Sequence, residues 1–109
     1  MKHSPDNPNL QEASSLLKAM SNEYRLLILC KLVEGEKTVS ELGNLVGLRQ
    51  TTLSQHLARL RYVGLVSTRR AAQNIFYSIS DSHGRQLLGM IHGMYCDSIS
   101  ADDKLANGT

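Results

Sequence analysis

Two short segments with helical spacing, Thr38 to Val46 and Gln50 to Tyr62, are divided only by Gly47, Leu48 and Arg49, and this arrangement constrains the 109-residue chain more than any other feature. Thr38-Val39-Ser40-Glu41 has the form of a capping box, in which a hydroxyl and a carboxylate three residues on satisfy each other's orphan amides. The helix it opens places Val39, Leu42, Leu45 and Val46 on its buried face and stops at Gly47, a residue suited to the left-handed conformation that ends helices. In the second segment Leu53, Leu57 and Leu60 recur at i, i+4 and i+7 and form one buried stripe. This helix ends before Gly64. Two such helices joined by a tight glycine-containing turn predict a helix-turn-helix.

The leucine stripe leaves the opposite face of the second helix to Thr51, Thr52, Gln55, His56 and Arg59, flanked by Gln50 and Ser54. Each can donate a hydrogen bond and none is acidic. Glutamine can read adenine edges with two bonds, arginine can read guanine, and serine or threonine can serve bases or phosphates. The N-terminal half of such a helix usually touches bases, which makes Gln50, Thr51, Thr52, Gln55 and His56 the candidate base contacts. Arg59 and Arg61 lie further back and suit phosphate. The charge distribution agrees. Between Leu42 and Ser80 there are five arginines and no Asp or Glu, so this window nets +5; seven of the chain's twelve Lys/Arg then face all ten Asp/Glu, so the remainder nets −3. A solvated basic face has the same composition, so the window points to a polyanion only in combination with the helix-turn-helix inside it.

The rest of the chain builds a scaffold around that unit. Residues 1–8 contain both prolines and read as a flexible arm, residues 9–97 as the domain, and residues 98–109 as a disordered tail. Leu10, Ala13, Leu17 and Met20 space a first helix that ends near Ser21-Asn22; a second runs from about Glu23 to Val33, stops at Gly35, and is apolar on nearly every side. Such a helix belongs in the middle of the domain. Leu65–Arg70 and Ile75–Ser80 are rich in β-branched and aromatic residues and predict a hairpin, or wing, with Asn74 as the turn residue able to take positive φ. Arg69 and Arg70 on this wing would reach the backbone of a duplex beside the groove.

A last helix from about Asp81 to Cys96 aligns Leu87, Leu88, Ile91 and Tyr95, a stripe whose natural partner is a second copy of the chain. The expected fold is mainly α with a small β-hairpin (α+β): a winged helix-turn-helix of five helices and a two-stranded wing, homodimeric. The longest apolar run, Leu26–Cys30, is far short of the roughly 20 residues of a membrane span. The polar N-terminal segment has no secretory pattern, so a cytoplasmic protein without a membrane partner is expected. No catalytic arrangement, phosphate loop or cofactor motif stands out, which argues against an enzyme and against a bound cofactor.

The stretches "LLKAMSNEYRLLILCKLVEGE", "TVSELGNLVGLRQTTLSQHLARLRYVGLVSTRR" and "IFYSISD" resemble the ArsR/SmtB family of repressors, over nearly all of Leu16 to Cys96. The resemblance implies a homodimer built by the first and last helices. It also implies binding to double-stranded DNA at an inverted-repeat operator, read by two helices about 34 Å apart, and release when an inducer arrives. Members of the family often sense metals. One such site puts a cysteine pair in the first helix of the helix-turn-helix, where this chain has Leu42-Gly43-Asn44-Leu45. Another uses an Asp-x-His, matched by Asp81-Ser82-His83, with a further His and Glu where this chain has Met94 and Asp97. His92 is two residues out of register, a rotation of roughly 200°. Asp81, His83 and His92 therefore remain only the weaker, metal-sensing alternative, since zinc needs four well-aimed ligands.

The two cysteines, Cys30 and Cys96, stand 66 positions apart on the second and last helices. That placement resembles the BigR/SqrR-like subgroup and implies sensing of persulfides and other reactive sulfur species, with a sulfur chain joining the pair and the operator released. A simple disulfide needs Cα atoms about 4.4–6.8 Å apart, and inserted sulfur atoms widen that reach. The chain is also similar to NolR-like regulators, which leaves an inducer-independent repressor open.

Overall fold

A computed structural model describes residues 7–80 and 82–96; residues 1–6 of the arm expected at 1–8, Asp81, Asp97, the tail expected at 98–109 and the side chain of Cys96 lie outside the described residues. The order of elements is α1 (Pro8–Met20), α2 (Glu23–Val33), β1 (Lys37–Thr38), α3 (Val39–Val46), α4 (Gln50–Tyr62), β2 (Val66–Ala71), β3 (Asn74–Ile79) and α5 (Ser82–Ile91), followed by a π-helical turn over His92–Cys96. Pro8, read from sequence as part of the arm, takes the first position of α1, where its missing N–H costs nothing, and the Asn7 side chain caps that helix.

Helix α2 lies at the centre, as its all-round apolar sequence predicts. Ile28, Leu29 and Leu32 are buried in one cluster with Leu42 and Val46 of α3, Leu53, Leu57 and Leu60 of α4, Leu65, Val66 and Ile79 of the wing, and Leu88 of α5. Each buried leucine contributes about 1.5–3 kcal/mol of transfer free energy, so the reading helix is held mainly through its three leucines. Both halves of the capping box on α3 form: the Glu41 amide donates to Thr38 Oγ1 at 3.1 Å and the Thr38 amide donates to Glu41 Oε1 at 2.9 Å. Gly47 ends α3 at φ 71°, a left-handed conformation that turns the chain into α4 at little cost.

Four expectations need correction. Leu45, expected on the buried face of α3, is 48% exposed, whereas Leu42 and Val46 are buried and Val39 packs against the core. The wing is a three-stranded antiparallel sheet in the order β1-β3-β2, since Lys37 and Thr38 pair with Tyr77 and Phe76. At the hairpin tip the positive φ falls on Ala72, at 57°, rather than on Asn74, which pairs with Ala71 in the ladder. The last helix does not run unbroken to Cys96. It widens into the π-turn after Ile91, and of the stripe expected to meet a second copy Leu88 is instead buried in the chain's own core with Leu87 packed against it, while Tyr95 is exposed.

Candidate functional site

The candidate DNA-reading face is set by what α4 buries. With Leu53, Leu57 and Leu60 locked in the core, Gln50, Thr51, Thr52, Ser54, Gln55, Arg59 and Arg61 are all exposed. Arg49 at the N-cap makes no side-chain cap bond, so no cap competes for the first amides of α4 at the positive end of the helix dipole, an arrangement suited to phosphate. His56 differs from its neighbours. It is half-buried, and its ring stacks on Tyr24 of α2 at a centroid distance of 6.2 Å and an interplanar angle of 28°. Burial, reinforced by the nearby Arg25 guanidinium, lowers its pKa, so at neutral pH the imidazole offers one donor and one acceptor. Arg25 is itself anchored, with Nε donating to the Ala19 carbonyl at 2.7 Å. Its pKa is lowered by burial and by the charge of Arg59.

The two wing arginines part company. Arg69 Nε donates to both oxygens of the Glu36 carboxylate, at 2.9 and 3.2 Å, its Nη2 closes the ion pair, and its guanidinium lies 4.6 Å from the Phe76 ring centre. The hydrogen bond raises the pKa of Arg69 and lowers that of Glu36. Arg69 is thus engaged within the chain, whereas Arg70, next along the strand and on the other face by strand alternation, is exposed. Sequence reasoning missed a further set. A groove of 480 Å³ between the start of α3, the start of α4 and the wing tip brings Ser40, Asn44, Gln73 and Asn74 beside Gln50. They come from two separate segments, α3 and the hairpin tip, and no spacing in the sequence announces them.

Cys30 is 3% exposed and disulfide-bonded. The chain has one other cysteine, Cys96, at the end of the π-turn. Beside Cys30 opens a cavity of 390 Å³ lined by Glu23, Tyr24, Leu26, Leu27, Ile91 and Tyr95. His92 Nε2 lies 3.5 Å from a Glu34 carboxylate oxygen, tying the π-turn to the end of α2. His83 is exposed on α5. Nine positions separate it from His92, roughly 13 Å of helical rise, so one ion could not bridge the two within a chain. Among the described residues no group of three or more His, Cys, Asp or Glu could hold a metal ion, and no helix is long and apolar enough to cross a membrane.

A family model described as "Bacterial regulatory protein, arsR family" matches residues 22–68, from the cap of α2 into β2. The transcriptional activator HlyU of Vibrio cholerae is 47% identical over 90 residues, covering 83% of each chain. The nodulation protein NolR of Rhizobium meliloti is 48% identical over 89 residues, covering 82% of this chain and 73% of its own. The biofilm growth-associated repressor of Xylella fastidiosa is 42% identical over 85 residues, covering 78% and 75%. The solved structure of HlyU from Vibrio cholerae superposes with a TM-score of 0.79, covering 83% of this chain and 98% of that one at 47% identity. A homodimeric winged helix-turn-helix DNA-binding domain from Mycobacterium bovis, 28% identical, gives 0.72 and covers 98% and 95%.

Proposed function

The chain belongs to the ArsR family of bacterial transcriptional regulators, and from that premise we propose that it is a homodimeric repressor in which α4 of each copy reads one half of an inverted-repeat operator. The observation that carries this reading is the exposed, acid-free, hydrogen-bonding face of α4. Gln50, Thr51, Thr52, Gln55 and His56 meet base edges, Ser54 serves base or phosphate, and Arg59, Arg61 and Arg70 meet the backbone. Arg69 is left out of this set because its pair with Glu36 neutralises its charge. A folded dimer seated on a duplex excludes other proteins from it, so repression needs nothing beyond binding. The mycobacterial homodimer supports the oligomeric part, as do the exposed apolar residues of α1 and α5.

Release is assigned to the Cys30/Cys96 pair, and the disulfide at Cys30 supports this. A persulfide can supply the oxidation without another reagent. One cysteine takes the outer sulfur of RSSH and RSH leaves; the second cysteine then attacks the first one's own sulfur, closing a disulfide and expelling hydrogen sulfide. Further sulfur donors lengthen the bridge. The link ties α2 to the turn after α5, and thereby alters the placement of the two reading helices. Footprinting of reduced protein, with and without a low-molecular-weight persulfide, tests the whole scheme. Protection is expected to fade for the wild type and to persist for Cys30→Ser. A Cys30→Ser variant that responds like wild type would overturn thiol sensing.

A further inference from the structure

We propose that Tyr24 is the positioning residue through which the cavity beside Cys30 acts on the recognition helix; this rests on the thiol-sensing reading. Tyr24 belongs to two neighbourhoods at once. It lines the cavity with Cys30, Ile91 and Tyr95, and its ring stacks on His56 of α4. The 6.2 Å spacing and 28° tilt lie within the range in which aromatic pairs attract. Tyr95, another of the cavity's lining residues, is covalently adjacent to Cys96. A bond made or broken at Cys96 therefore constrains one wall, while Cys30 constrains another.

The body of α2 is poorly placed to respond, because Ile28, Leu29 and Leu32 fix it in the core. Arg25 is equally fixed by its bond to the Ala19 carbonyl. Tyr24 stands in the first turn of α2 and is 50% exposed, so its ring has room to follow the shape of the cavity. His56 follows the ring, and His56 adjoins Gln55 and sits one turn from Thr52 and Arg59 on the reading face. An aromatic stack of this kind supports a change of about three- to tenfold in affinity between the two cysteine states.

The test uses a duplex selected from a random-sequence pool by the reduced wild-type protein. Affinity for it is measured before and after oxidation by a low-molecular-weight persulfide, with crosslinking followed by mass spectrometry. The wild type and Tyr24→Phe, which keeps the ring, should weaken by the same factor. Tyr24→Ala should form the same Cys30–Cys96 crosslink yet lose most of that factor. A Tyr24→Ala protein that keeps the wild-type ratio overturns the role of Tyr24 while leaving thiol sensing intact. A wild type that crosslinks without weakening overturns thiol sensing, and this inference with it. Independently of any variant, the His56 ring resonances of the wild type should move between the reduced and oxidised states; identical spectra would refute the coupling.

Discussion

Arg69 and His56 illustrate how a residue's chemistry is decided by neighbours distant in sequence. Each belongs to the basic, hydrogen-bonding set read from the sequence, and each is partly claimed from within. Arg69 of β2 is held by Glu36, 33 positions away and just before the two-residue β1, from which β3 separates β2 in the sheet. That ion pair is exposed on both sides and worth little to stability, but it neutralises a charge on the wing. Glu36→Gln should therefore leave the fold unchanged and release the guanidinium. The expected outcome is tighter binding to non-specific duplex and a salt dependence steeper by up to about one, the increment for one added phosphate contact. An unchanged slope in a fluorescence titration against salt would place Arg69 away from the duplex. Exposure of the other reading residues was legible because the leucine stripe leaves them nowhere else to point. The half-burial of His56 was not, because its cause is a tyrosine 32 positions earlier in the chain.

At the scale of elements, the helix-turn-helix was legible nearly to the residue, because the signals that start and stop its helices are local and strong. The α4 bounds, Gln50 and Tyr62, coincide with those read from the sequence. Capping chemistry carries energy as well as information. Thr38→Ala removes the hydroxyl that accepts from the Glu41 amide and should cost about 1 kcal/mol, measured as a lowered urea midpoint with an unchanged slope. Elements defined by tertiary pairing escaped notice. β1 is too short to have a period, and its strand character comes from pairing with Tyr77 and Phe76. The π-turn has no residue signature of its own. The hairpin tip places Ala72 at positive φ, where sequence rules favour asparagine or glycine, so the register of the two strands overrode the local preference.

For the molecule as a whole, the charge asymmetry was visible in the sequence, whereas the stripe of the last helix was only partly so, because Leu88 is buried in the chain's own core and Leu87 packs against it. Leu10 and Leu17 of α1 are exposed, as are Met90 of α5 and Met94 and Tyr95 of the π-turn. A 370 Å³ groove lined by Ala13, Leu16, Leu17 and Leu87 joins α1 to α5. Such surface is costly to leave in water and suits a second copy. Paired Leu17→Asp and Met90→Asp substitutions should give a folded monomer by sedimentation, with affinity for the selected duplex falling by more than about tenfold because the second reading helix is no longer linked. A dimer that survives both changes would move the interface elsewhere.

The claim on which the rest depends is that α4 reads base edges. Gln55 tests it most directly, since its side chain is exposed and carries no structural load. Equilibrium titration of wild type and Gln55→Ala against the selected duplex and a scrambled one measures the specificity ratio. The ratio should fall by about 5- to 150-fold, the 1–3 kcal/mol of one bidentate base contact, with non-specific affinity and salt slope unchanged. An unaltered ratio, or an equal loss on both duplexes, would contradict the account.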